Sequence, residues 1–303
     1  MRIVIIGGKG LIGRAVTEAA VAREYDVVVL SRKVVQPGVK SAHVVLQHWD
    51  GKSAADLGRI IDGMDALINL AGESIGKGAW TDERKAELLK SRLEPAQALV
   101  EALKLCKEAP KVLIQASALG YYGTTPGEKD ESSPPGSDYL ANFAVEWEGS
   151  TKAVEAMGIR RVIIRTGIVL AKGDGVLPQL MLPFKLMVGG PVGSGKQIYS
   201  WIHIKDEADA ILFLLEKADA KGVYNLTAPN PMSNSEIGKV LARVMSRPYW
   251  MPVPGFALKL LLGEMSTLVL DGQIVKPQRL LESGFKFRFI DLHEALTDLL
   301  KNE

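Results

Sequence analysis

The stretch that most restricts what this chain can fold into is "IIGGKGLIG", residues 5–13. It follows directly on "RIVIIG" (2–7), which reads as a strand, and the residues after Gly10 read as a helix to about Arg23. The glycines, with Leu11 and Ile12 among them, satisfy Gly7-x-x-Gly10-x-x-Gly13 and Gly8-x-Gly10-x-x-Gly13 at once. Such spacing permits a tight turn and lets backbone N–H groups approach a pyrophosphate, to which the helix start adds its positive end. Glycines often do no more than turn a chain. A strand before them and a helix after them favour a dinucleotide-binding loop.

The rest of the first half repeats the strand-and-helix pattern. "DVVVLSR" (26–32), "AHVVLQ" (42–47), "DALINLAG" (65–72), "KVLIQASA" (111–118) and "RRVIIRTG" (160–167) read as five further strands. Helices are predicted from about Thr81 to Lys104 and from about Ser137 to Ala156. Continuous β-branched runs between helices specify an α/β fold, a Rossmann-type doubly wound parallel sheet covered on both faces. After Gly167 the pattern changes. Pro and Gly become frequent in "LPQLMLPFKLMVGGPVGSGK", and a shorter strand pair, "QIYSWIHI" and "GVYNLTAP", brackets a helix starting near Asp206. At the end, "DLHEALTDLL" puts Leu292, Ala295, Leu296, Leu299 and Leu300 on one helical face, behind a capping-box-like Asp291 and Glu294. The expected division is a dinucleotide-binding domain over 1–167, with segments returning from the second half, and a smaller mixed C-terminal lobe over 168–303.

Composition narrows the function classes. Lys and Arg number 37 against 35 Asp and Glu, a net charge of +2, which supplies no broad field for nucleic acid or an anionic membrane. One cysteine, Cys106, excludes an internal disulfide framework, fits a reducing compartment and reads as a small buried apolar residue. The four histidines show no metal-ligand spacing. No apolar run approaches the roughly 20 residues of a membrane span, and "MRIVIIGGKG" is too short and glycine-rich for a signal peptide. A soluble cytoplasmic protein is the expectation.

Cofactor choice is read where the second strand ends. An NAD site usually puts Asp or Glu there for the ribose 2′-hydroxyl. This chain has Ser31, Arg32 and Lys33, which read either as donors suited to a 2′-phosphate or as a solvated basic loop, and NADP(H) is the expected cofactor. Asp50 in "HWDG" reads either as an acceptor for the adenine amino group or as a loop aspartate. "NLAG" (69–72) ends the fourth strand with small residues, making Leu70 and Ala71 candidate cofactor contacts. "GPVGSGKQ" (190–197) nearly spells a phosphate-binding P-loop, but Gln197 replaces the metal-binding Ser/Thr and a strand-like run follows, so it reads as a glycine-rich turn.

In order and spacing, "GGKGLIG", "NLAG", "SALGYYG", "RTGIVLAKGDG" and "SWIHIKDEADAI" resemble the extended short-chain dehydrogenase/reductases. Within them the chain looks like an atypical epimerase-family or cell-division-inhibitor-like branch. That branch is marked by "NLAGE", "GYYG", a D-[FY]-L…WE segment and a C-terminal domain like "LGEMSTLVLDGQIVKPQRLLESGF". The resemblance covers nearly the whole chain. It implies a Rossmann-type NADP(H)-binding lobe with a small C-terminal lobe, and it implies no known substrate.

In the extended enzymes a Ser or Thr after the fifth strand, a Tyr, and a Lys four residues later do the chemistry. The tyrosine exchanges a proton with the substrate oxygen, and the lysine lowers its pKa and holds the nicotinamide ribose. By this resemblance Ser117 takes the first role, though a one-residue shift would give it to Ala118, and Tyr139 takes the second. Phe143 stands where the lysine should be. Lys152, nine residues further along the same predicted helix, lies about 180° around it and roughly 13 Å along it, and cannot substitute. The resemblance suggests instead that Arg92, with Glu87, faces the cofactor; the alternative for Arg92 is an exposed helix charge. Tyr139 itself reads either as the proton-exchanging group or as a packing aromatic. Glu73, Tyr121, Tyr122, Arg165, Trp201 and His203 are placed near the cleft, each with a structural alternative. Two functions therefore stand open: an oxidoreductase or epimerase acting on a small carbonyl or hydroxyl compound, and a cofactor-binding regulator read by a partner. The fold class also leaves a homodimer through flanking helices open.

Overall fold

A computed structural model describes residues 1–32 and 42–301; Lys33 lies outside them. The first half contains β1 (Arg2–Ile6), α1 (Leu11–Val21), β2 (Asp26–Ser31), β3 (Val44–His48), α2 (Ala54–Ile61), β4 (Ala66–Asn69), α3 (Asp82–Leu105), β5 (Val112–Ala118), β6 (Glu128–Lys129), α4 (Tyr139–Gly149) and β7 (Arg160–Thr166). After it come β8 (Ile168–Leu170), α5 (Leu177–Lys185), β9 (Ile198–Tyr199), β10 (Trp201–His203), α6 (Ile204–Glu216), β11 (Gly222–Leu226), β12 (Met232–Ser233), α7 (Asn234–Met245), α8 (Gly255–Leu262), α9 (Thr267–Leu270), β13 (Ile274–Val275), α10 (Gln278–Glu282) and α11 (Leu292–Lys301).

Seven strands form one parallel sheet in the order β3-β2-β1-β4-β5-β7-β11. Alternation along each strand sends successive side chains to opposite faces. Ile3, Ile5, Val27 and Val29 pack under α1 and α6. Val4, Ile6, Leu67 and Leu113 meet Leu57, Leu99 and Leu103 of α2 and α3. Each such fully buried side chain contributes roughly 1.5–3 kcal/mol. Strand order reverses between β1 and β4, and in open sheets that reversal opens a crevice at the carboxyl ends of the strands. Helix starts are fixed locally: Ser53, Thr81 and Asp138 accept the N–H groups of Asp56, Arg84 and Ala141.

Two elements differ from the sequence reading. "GVYNLTAP" does not partner "QIYSWIHI": β11 is the outer strand of the large sheet, against β7, while β10 pairs with β8. An apolar run shows that a strand forms, not which edge it joins. The helix expected over 137–156 ends at Gly149, and Lys152 opens a separate 3-10 turn, Lys152–Met157. Cys106 is half-buried, its thiol on the Ala102 carbonyl.

The C-terminal lobe has its own core, in which Trp201, Leu177 and Phe184 meet Ile237, Leu241, Leu292, Leu296 and Leu299. "GPVGSGKQ" is a turn leading into β9, held by Gln197 Nε2 donating to the Val192 carbonyl at 3.0 Å. α8 leaves Phe256, Leu260 and Leu261 exposed. No described helix is long and apolar enough to cross a membrane, and no group of His, Cys, Asp and Glu among the described residues could hold a metal ion.

Candidate functional site

The glycine loop is built around missing side chains. Gly7 sits at φ +80°, and a Cβ there would stand 2.6 Å from the Leu70 carbonyl oxygen. A Cβ on Gly13 would meet Gly8 Cα at 2.5 Å and the Gly7 oxygen at 2.6 Å. The loop is closed by Gly10 N–H donating to the Gly7 carbonyl at 3.0 Å. Gly10 also begins α1 and offers it no side-chain cap, the arrangement in which a helix N-terminus holds phosphate. Leu11 and Ile12 are half-buried in that first turn, Ile12 packed on the core. Gly8 is buried against Val29 of β2.

From this loop a cleft of about 470 Å³ runs between the ends of β1, β2 and β4. Ser31 and Arg32 line one side, Trp49, Asp50 and Gly51 another, and Ala71, Ser91 and Pro95 the third. Arg32 is exposed, its Nη2 3.9 Å from Glu73 Oε1. Asp50 Oδ1 accepts the N–H groups of Lys52 and Ser53, both at 2.8 Å, which holds its carboxyl below the usual range. Leu70 supplies the carbonyl that Gly7 approaches, and Ala71 donates its N–H to Asn69 Oδ1 at 3.2 Å. Glu87 is not in the cleft lining. It accepts from Arg84 Nη1 at 3.1 Å, and Arg84 binds Glu73 at 2.7 Å, the bond that chiefly holds the Glu73 carboxyl below its ordinary range.

Arg92, carried by α3, is buried. Its Nη1 donates to the Leu88 carbonyl at 2.9 Å and Nη2 to the Glu73 carbonyl at 3.0 Å. Its guanidinium lies 5.0 Å from the Phe143 ring centre and 4.7 Å from that of Trp147. Burial lowers its pKa to about 10. Phe143 thus replaces the lysine with a wall on which the arginine stacks.

Tyr139 opens α4 in an aromatic setting, 5.4 Å from Trp80 and 5.9 Å from Phe143 between ring centres. Its hydroxyl is buried, with no hydrogen-bond partner among the described residues. Burial raises its pKa, against the opposing charges of Lys85 and Arg92. Lys85 of α3 holds its Nζ 5.0 Å over the Tyr139 ring and pairs at 2.6 Å with Glu264, which follows α8. Neither Lys85 nor Glu264 was expected from the sequence. Lys85 lies seven residues before Arg92, about two helical turns along the same face, and that spacing was the available signal.

Ser117 is occupied elsewhere. Its hydroxyl donates to Glu148 Oε1 at 2.7 Å, and Arg165 grips the same carboxylate with Nε at 2.8 Å and Nη2 at 2.9 Å. Arg165 Nη1 also donates to the Tyr122 hydroxyl, which donates to Asn225 Oδ1. The structure therefore does not join Ser117 to Tyr139 by a hydrogen bond. Strand alternation turns the next residue, Ala118, to the opposite face, where it presents a methyl and no hydroxyl. Tyr121 stacks on Arg165, 3.2 Å from its ring centre to Cζ. Trp201 and His203 are fully buried and are not in the lining of the glycine-loop cleft; Trp201 belongs to the core of the C-terminal lobe.

Two family models match the chain: the NAD dependent epimerase/dehydratase family over residues 3–227, and a domain of unknown function (DUF1731) over 253–299. Epimerase family protein YfhF of Bacillus subtilis is 39% identical over 302 residues, covering 99% of this chain and 98% of that one. Epimerase family protein SA0724 of Staphylococcus aureus is 38% identical over 301 residues, covering 98% of each. Among solved structures, human epimerase family protein SDR39U1 (isoform 2), crystallised with NADPH, superposes with a TM-score of 0.90. It is 32% identical, with full coverage of both chains.

Proposed function

The chain belongs to the NAD dependent epimerase/dehydratase family, and from its cleft we propose that it binds NADP(H) and acts as an oxidoreductase or epimerase on a small carbonyl or hydroxyl compound. The observation that carries this reading is the loop at Gly7 and Gly13. Side-chain atoms there would collide with backbone at 2.6 and 2.5 Å, and the cleft this leaves is lined by Ser31 and Arg32. A loop so shaped fits a pyrophosphate, and the arginine fits a 2′-phosphate. NADPH in the human relative supports the same choice. The orphaned Tyr139 hydroxyl and Arg92 Nε fit a polar ligand that completes their hydrogen bonding.

Held by Gly7, Gly10, Ser31 and Arg32, NADP(H) would supply or accept hydride. Tyr139 exchanges a proton with the substrate oxygen, donating when a carbonyl becomes a hydroxyl and accepting in the reverse direction. Arg92 positions the loop at Glu73 through its bond to that carbonyl. Phe143, Trp80 and Trp147 exclude water from the phenol's surroundings. Ser117 holds the floor of the fold through Glu148 and takes no proton.

The test is a screen of small aldehydes, ketones and sugar nucleotides for NADPH oxidation or epimerisation, repeated with Tyr139→Phe. Removing the phenol should lower kcat by about 100-fold or more and leave NADPH affinity unchanged. Unchanged turnover would remove Tyr139 from the chemistry. Tight NADPH binding without turnover of any compound would turn the reading to a cofactor-binding regulator.

A further inference from the structure

The proton exchange assigned to Tyr139 needs a positive charge that Phe143 cannot supply. The charged groups facing Tyr139 come from two elements. α3 brings Lys85 and Arg92, and the turn after α8 brings Glu264. Asp82 stands near Lys85, and Glu73 near Arg92. Arg92 is committed: two of its nitrogens bond the Leu88 and Glu73 carbonyls, and its plane lies on Phe143 and Trp147. Lys85 is placed differently. Its ammonium lies over the Tyr139 ring at 5.0 Å, and its bond to Glu264 at 2.6 Å engages one of three N–H donors.

We propose that Lys85, reaching from α3, is the residue that stabilises ionised Tyr139 in place of a lysine on α4, and that Glu264 of the C-terminal lobe holds it there. The inference rests on Tyr139 being the proton-exchanging group. Lys85 is a positioning residue, acting through the phenol. A cation over the face of a ring interacts favourably with it, and more strongly once the oxygen carries a full negative charge. Burial works in the opposite direction, since the half-buried phenol resists ionisation. Glu264 has two effects. It fixes the lysine stem over the ring, and its own charge offsets part of the lysine's. The contact ties α3 to the turn after α8, segments far apart in the chain.

The test reads the phenol directly and needs no substrate. Fluorinated tyrosine, which ionises nearer neutrality, is incorporated throughout, and fluorine NMR follows each ring with pH; Tyr139→Phe assigns the signal. In Lys85→Met the Tyr139 titration should move upward by about one pH unit, and Lys85→Arg should restore most of the difference. Glu264→Gln should move it upward by less than Lys85→Met does, because losing the lysine's anchor outweighs losing the opposing charge. A Tyr139 titration at the same pH in wild type, Lys85→Met and Lys85→Gln would overturn the proposal, and a downward movement in Glu264→Gln would overturn Glu264's part. NADPH affinity, measured on the same proteins, should not change with Lys85→Met. Failure of the wild type to bind NADPH would sink the cofactor reading while leaving the titration result to stand or fall separately.

Discussion

Arg32 leaves β2 with its guanidinium largely in solvent and only 3.9 Å contact to Glu73. A pair so exposed adds little to stability, so removing the arginine tests recognition without disturbing the fold. Arg32→Ala should weaken NADPH binding by about tenfold or more and leave NADH binding unchanged, measured by fluorescence titration of both cofactors. Equal losses for the two would show that Arg32 does not read the 2′-phosphate. The place of Arg32 in the cleft lining was legible from sequence, because its position after a strand is a local property. Ser117 could not be settled that way: one residue of register decides which sheet face a side chain takes, and the hydroxyl donates to Glu148, whose carboxylate Arg165 also holds. Lys85 was hidden for another reason. The spacing to Arg92 gives only its helix face; its partner Glu264 arrives from a distant segment, and no local pattern announces that meeting.

At the scale of elements, the strand, loop and helix from Arg2 to Val21 were legible because propensity, glycine spacing and burial agree. The loop's two glycine classes give a graded prediction. Gly13→Ala would drive a Cβ to 2.5 Å from Gly8 Cα, backbone that cannot step aside. It should cost roughly 1–3 kcal/mol by denaturant unfolding and abolish NADPH binding. Gly10→Ala should cost less than Gly13→Ala, because Gly10 has φ −72° and its added Cβ, 3.3 Å from the Gly7 oxygen, asks that oxygen to move only slightly. If Gly13→Ala kept both stability and cofactor affinity, the cradle would not be what shapes the cleft. α4 shows where element reading stops. Its apolar and charged pattern continues past Gly149, yet the chain turns there into a 3-10 turn and carries Lys152 away from Tyr139. β11 shows the same limit, since its join to β7 depends on where α6 returns the chain.

At the scale of the molecule, the joint between sheet and C-terminal lobe runs through residues 203–207, where three titratable side chains are buried. Asp206 accepts the N–H groups of Arg288 and Phe289 at 2.8 and 3.0 Å, tying the C-terminal segment to α6. His203 caps α6 by accepting the Lys205 N–H at 3.1 Å, and burial lowers its pKa to about 4 from 6.5. Glu207 accepts from the Thr166 hydroxyl at 2.7 Å, and burial pushes its carboxyl up to about 8 from 4.5. These two shifts oppose each other with pH. The neutral histidine contributes stability above pH 6.5 that is lost as pH falls toward 4, because the unfolded imidazole takes a proton first. The protonated glutamic acid contributes most below pH 4.5, and that contribution is lost as pH rises toward 8, because the unfolded carboxyl releases its proton first. Glu207→Gln keeps the acceptor for Thr166 and removes the ionisation. Its unfolding free energy should match wild type near the acid end of this window and exceed it by roughly 4 kcal/mol at the alkaline end, read from urea unfolding across the range. A variant whose pH profile parallels wild type would mean that Glu207 is ionised in the folded chain, with a counter-charge or water reaching Oε2.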